Sequence, residues 1–190
     1  MPVTQLPRSI PALALVTSIL ALTACTGPDP TPPSRSSPPP VFANEEEALA
    51  AVTETYGRFV EISNTIASEK GSQPERILEV MSPDAATAEI DGFGMLSGSG
   101  LDYIGAARVD GVRLQTWSAN PDADGVLASA LTCLDISGMD VVDATGTSVA
   151  PPDRVTRLPF AIEIGNGVRD GSFLITSKVL QEGASVCDGE

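Results

Sequence analysis

Residues 126–136 read VLASALTCLDI, eleven residues in which apolar side chains fall on both faces of an extended backbone. A strand that is apolar on both faces is covered on both, so this segment predicts the central strand of a sheet. Its neighbours on either side also carry a period of two. Tyr103 to Trp117 is β-like, with Val112 and Leu114 opposite Arg113, and Asn120 to Gly125 forms the turn between the two. Downstream, Val141-Val142 reads as a continuation of the central strand after a kink at Gly138. Leu158, Phe160, Ile162 and Ile164 then alternate with Pro159, Ala161 and Glu163. Asn166-Gly167 is a turn signal, and Phe173, Ile175 and Val179 alternate in a final strand, with Cys187 just beyond it.

Upstream of this region the period is helical. Asn44 before Glu45, Glu46 and Glu47 is a helix start, because its side-chain oxygen can accept from an orphan N–H while the acids oppose the positive helix end. Leu49, Val52, Tyr56, Phe59, Val60 and Ile66 recur at helical spacing to about Ser68. Gly71-Ser72 breaks the helix, Pro74 opens a second through Met81, and a third short one is expected from Pro83 to about Phe93. The glycine-rich run Gly92 to Gly100 reads as a flexible connection that ends the helical part. It lacks the strand-then-helix setting and the following lysine of a phosphate loop.

Helices first and antiparallel strands after is an α+β order: N-terminal helices packed on a curved antiparallel sheet. This order resembles the cone-shaped fold of the nuclear transport factor two-like (cystatin-like cone) family. Leu131-Thr132-Cys133-Leu134-Asp135 on a late strand, with a terminal Cys187, resembles actinobacterial lipoproteins of that shape. The resemblance spans about Asn44 to Cys187 and rests on element order and that one motif; another α+β fold is the alternative. It implies a cone that is either filled or holds a pocket; members of the family often pair through the sheet, which leaves a homodimer open here. Enzymes of the family often set an Asp or Glu base and a Tyr donor in an apolar pocket, and Tyr56 and Asp135 are the nearest equivalents in type. Inside a pocket, burial would raise the Asp135 pKa and make it a proton-transfer base. The blander reading, which we favour, keeps Tyr56 in the core with its hydroxyl satisfied and has Asp135 close its strand by bonding backbone N–H groups.

The N-terminus has a different character. Arg8 is the single charge of the first 24 residues, the apolar run Ile10 to Leu22 is too short to span a bilayer, and the run ends in Leu22-Thr23-Ala24-Cys25. These features resemble the signal peptide and lipobox of bacterial lipoproteins. The resemblance implies cleavage after Ala24 and a diacylglyceryl group on the Cys25 thiol; the alternative is an ordinary secretory signal with Cys25 incidental. Residues 25–43 then form the lipidated cysteine and a tether, with prolines at 28, 30, 32, 33, 38, 39 and 40, and residues 44–190 a single domain. Two acyl chains would hold such a protein on the outer face of the cell membrane. With Cys25 lipidated, Cys133 and Cys187 remain in an oxidising exterior, where a disulfide is the expected state and two unpaired buried thiols the alternative.

Composition excludes several classes of function. The chain has no histidine, so Ser-His-Asp, Cys-His and histidine-metal sites are ruled out, and two spare sulfurs do not make a zinc site. The aspartates of residues 120–124 lack the spacing and closing glutamate of a calcium loop. No cofactor motif is found. Removing residues 1–24 takes the chain from 190 residues to 166 and its formal charge from −14 to −15, which opposes nucleic acid and anionic head groups. The expectation is a non-enzymatic module of the cell envelope that binds a small ligand or a partner protein. The alternatives are an isomerase- or hydratase-like enzyme using Asp135 and Tyr56, and a structural lipoprotein without ligand.

Overall fold

The computed structural model describes residues 39–188 apart from residues 170 and 184. Cys25, the signal segment and the tether up to residue 38 lie outside the described residues.

Helix α1 runs Glu45–Ser68 and starts where the cap predicts: Asn44 Oδ1 accepts from Glu47 N at 2.9 Å, and Glu47 reaches back to accept from Ala43 N at 2.8 Å. Its buried stripe is Ala48, Val52, Tyr56, Phe59, Val60 and Ile66, whereas Leu49 is partly exposed at the edge of the stripe. Pro74–Glu79, expected as a helix, is a 3-10 turn that puts Ile77 into the core. Helix α2 runs Pro83–Ser99, capped by Ser82 and ended by Gly100 at φ 70°.

The glycine-rich run is therefore not a connection, because α2 continues through Gly92, Gly94 and Gly98. Each glycine costs about 1 kcal/mol relative to alanine, so tertiary contacts must hold this half of the helix. Leu96 is buried and Phe93 packs on the core. Gly71, at φ 75° just past α1, allows the close approach: a Cβ there would stand 2.1 Å from the Phe93 carbonyl oxygen.

Six strands follow: β1 Asp102–Gly105, β2 Arg108–Trp117, β3 Val126–Asp135, β4 Met139–Val142, β5 Arg157–Asn166 and β6 Phe173–Leu180. Strands β2-β3-β5-β6 form an antiparallel sheet that does not close, with helices packed on it, which is an α+β fold. As expected, β3 is an interior strand. Two other expectations are corrected. The 103–117 segment is two strands, broken at Ala106-Ala107, where the Asn64 amide of α1 both accepts from Ala107 N and donates to Ala107 O at 2.9 Å. Strand β4 does not extend β3; it turns away to pair with β1 in a separate two-stranded sheet.

The fold also begins earlier than residue 44. Phe42 is 3% exposed and its ring centroid lies 5.2 Å from that of Phe173, while Val41 N donates to Ala119 O at 2.7 Å. These contacts fix the point at which the chain enters the sheet.

Because side chains alternate along a strand, Ala130, Thr132 and Leu134 of β3 face the helices, and Leu131, Cys133 and Asp135 face the other side. Cys133 is bonded there to Cys187, with a Cα–Cα distance of 5.1 Å. The bond holds the 3-10 turn Ser185–Cys187 against β3, and Gly111 of the adjacent β2 makes room for it: a Cβ there would lie 3.3 Å from the Val186 carbonyl oxygen. Closing a loop of 54 residues is worth about 4 kcal/mol in the chain-entropy account. Cys187→Ser is expected to lower unfolding free energy by about 2–4 kcal/mol in urea titration, and reductant is expected to bring the parent chain down to the variant's value.

Candidate functional site

A cavity of about 280 Å³ lies between the helices and one end of the sheet. Helix α1 contributes Phe59, Val60 and Ser63, α2 contributes Glu89, Phe93 and Leu96, and the sheet side is Leu134, Met139 and Lys178 with Ile136 beside them. Exposed Gly92 and Tyr103 also line it, so the mouth opens to solvent between α2 and β1. Such a volume is at the low end for small-molecule sites, and walls of this composition are usual for them.

Two charged side chains line the cavity, and they are paired. Lys178 Nζ stands 2.6 Å from Glu89 Oε1, with the two side chains 11% and 24% exposed. The same ammonium lies 4.1 Å from the Phe160 ring centroid and 5.1 Å from that of Phe59, so two aromatic faces add to the carboxylate in holding the cation. Simple alternation after Ile175 places Lys178 outside and Val179 inside. The structure reverses this, because Thr176 is a bulge residue: Ile164 pairs with Ile175 but Glu163 pairs with Ser177. One inserted residue flips the rest of the strand, leaving Val179 53% exposed and Lys178 under the helices.

The expected pair is not assembled. Tyr56 is fully buried against Phe59, at 5.6 Å between centroids, and does not line the cavity. Burial pushes its phenol up to about 12, the nearby Thr132 hydroxyl opposes the shift and the charge of Glu89 adds to it. The expectation that its hydroxyl is satisfied is corrected: it makes no geometrically complete hydrogen bond among the described residues. Asp135 follows Leu134, so it points to the opposite face of the sheet from the cavity. There Asp135 Oδ1 accepts from Ser137 N at 2.7 Å and Oδ2 accepts from Arg108 Nη2 at 2.7 Å and Nε at 3.1 Å. The bonds from Ser137 and then from Arg108 hold its carboxyl well below the usual carboxylate range, the reverse of what a general base needs. Asp135 thus closes its strand by bonding backbone, as the blander reading has it, with Arg108 as a further partner.

Lys178 and Glu89 were invisible as a site in the sequence. The one signal was that Lys178 is among only two lysines in a chain with nine arginines. In the turn at residues 120–125, Asp122 Oδ1 accepts from Asp124 N and Val126 N at 2.9 and 2.8 Å, so this carboxylate serves the backbone.

No protein-family model matches the chain, and no curated protein matches it in sequence. Among solved structures, the chain is similar to the intermembrane space region of the chloroplast protein ARC6, at 17% identity and a TM-score of 0.44 over 70% of this chain and 95% of that one. It is also similar to Aln2 from a Streptomyces species, at 15% identity and a TM-score of 0.46 over 73% of this chain and 92% of that one. No inference about this chain's function follows from likenesses at that level.

A carboxylate whose folded pKa is depressed stabilises the fold above its unfolded pKa, about 4, and loses that contribution as pH falls through the folded value. Asp135→Asn is therefore expected to lower the urea midpoint by a constant amount between pH 5 and 8. The gap to the parent chain is expected to narrow only as pH is taken from 4 toward 2. A gap that closes above pH 5 contradicts the assignment.

Proposed function

We propose that this protein is an exported lipoprotein, anchored through Cys25 to the outer face of the cell membrane, whose domain binds a small ligand in the cavity between α1, α2 and the sheet. The observation that carries the binding reading is the cavity itself: apolar walls, a mouth to solvent, and two charged groups that neutralise each other. Proton transfer through Asp135 has no comparable support, since that carboxylate is on the far face and held ionised by Ser137 and Arg108.

The anchoring reading rests on Leu22-Thr23-Ala24-Cys25 after the apolar run and on the proline-rich segment beyond it. The Cys133–Cys187 disulfide is in keeping with an oxidising compartment. Among the described residues no helix is long and apolar enough to cross a membrane, and the reading requires none.

Two measurements test the two halves. Intact mass of the membrane-extracted chain is expected to show a start at a lipidated Cys25 and a gain of two hydrogens on reduction, with Cys25→Ala released as an unlipidated product. An unmodified parent chain overturns the anchor. For the cavity, xenon pressure is expected to shift the methyl resonances of Leu134, Ile136 and Met139 and to leave those of the opposite sheet face unmoved. Unmoved cavity methyls overturn the binding site.

A further inference from the structure

We infer that the ligand of this cavity is an uncharged, largely apolar molecule of about nine non-hydrogen atoms, bearing one hydrogen-bond-accepting oxygen directed at Lys178. The inference rests on the binding reading above and adds to it the chemical class of the guest.

The size follows from the volume, about 280 Å³, at roughly 30 Å³ for each water-sized group. The charge follows from the lining. Glu89 and Lys178 are the two ionisable acid and base side chains there, and they are in contact at 2.6 Å, so the walls present no net charge to a guest. An ion entering such a site leaves its hydration shell and meets a charge that is already neutralised, so its desolvation goes uncompensated. A neutral guest meets no such penalty.

The polar atom follows from the donors left over. An ammonium has three N–H groups, and Glu89 Oε1 takes one of them. The Phe160 face lies closer to Nζ, at 4.1 Å, than the Phe59 face, at 5.1 Å, which makes the Phe59 side the weaker contact to give up to an incoming oxygen. Asn64 offers no competing group, because its amide is committed to both backbone atoms of Ala107. Ser63 borders the cavity with a hydroxyl that has no partner among the described residues, so a rotation about its Cα–Cβ bond gives the guest a second polar contact.

The test uses the full chain carrying Cys25→Ala, titrated with 1-octanol, octanoate, octylammonium and octane at pH 7.5 and read on the methyl signals of Leu134, Ile136 and Met139. Octanol is expected to bind at least tenfold more tightly than either ion and at least threefold more tightly than octane. Glu89→Gln leaves Lys178 uncompensated, so in that variant the octanoate-to-octanol affinity ratio is expected to rise at least tenfold. The variant's urea midpoint establishes that it is folded. Octanoate or octylammonium matching octanol in the parent chain overturns the inference and leaves the binding site standing, as does octane matching octanol. An unchanged ratio in folded Glu89→Gln also overturns it. Failure of all four probes in a chain whose cavity methyls respond to xenon sinks the ligand class alone, whereas failure of xenon as well removes the site.

Discussion

The seating of the α1 stripe across one face of the four-stranded sheet is the contact on which the other elements depend. Val52, Tyr56, Phe59, Val60 and Ile66 are each at most 5% exposed, and burial of side chains of this size is worth about 1.5–3 kcal/mol apiece. Once α1 is fixed, its C-terminal part positions the next elements. Asn64 holds the break between β1 and β2, and Gly71 brings α2 down until the Phe93 carbonyl nearly touches the turn. The glycine-rich half of α2 is a helix because of where it lies. Its own propensity disfavours that state, so the contacts of Phe93 and Leu96 decide the outcome.

The elements that could be read from the sequence are those whose local signals agree with their tertiary setting. Asn44 with its three glutamates marked the first helix, and the apolar density of residues 126–136 marked the interior strand. The misread segments are those in which the surroundings outweigh the local signal. Glycines at 92, 94 and 98 argue for a loop and sit in a helix, and the pair Val141-Val142 argues for a longer β3 and belongs to another sheet. The site fell in this second group. Its central residue is directed by a β-bulge, and a bulge in β6 is set by pairing with β5, so the strand's own alternation predicts the opposite face for Lys178. Of the two residues offered as a site, Asp135 was correctly placed on the interior strand. Which face it takes depends on register, and register put Leu134 in the cavity wall and its neighbour outside.

The two faces of the sheet divide the work of the fold. The outer face carries the disulfide and the ion pairs Arg108–Asp135 and Arg157–Asp110, contacts that tie β2, β3, β5 and the C-terminal turn together. The inner face carries the core and, where α2 is weakest, the cavity. A site needs some freedom around it, and regions held by few buried side chains are where that freedom is found. The glycine-rich half of α2 forms one wall and the mouth, while the disulfide lies on the opposite face of the sheet, clear of the entry.

The position of the cavity along the strands sets it apart from the point where the chain enters the domain. The chain enters the domain at Val41-Phe42, against Ala119 and Phe173, close to the pair Trp117–Ala128. The cavity is at the other end of β3, around Leu134, about 20 Å further along at roughly 3.3 Å per residue. The mouth is then at the end of the sheet remote from the chain's entry. The uncharged amphiphile proposed as guest fits the chemistry of Lys178 and Glu89, and the opening it would use is one that the chain's entry does not crowd.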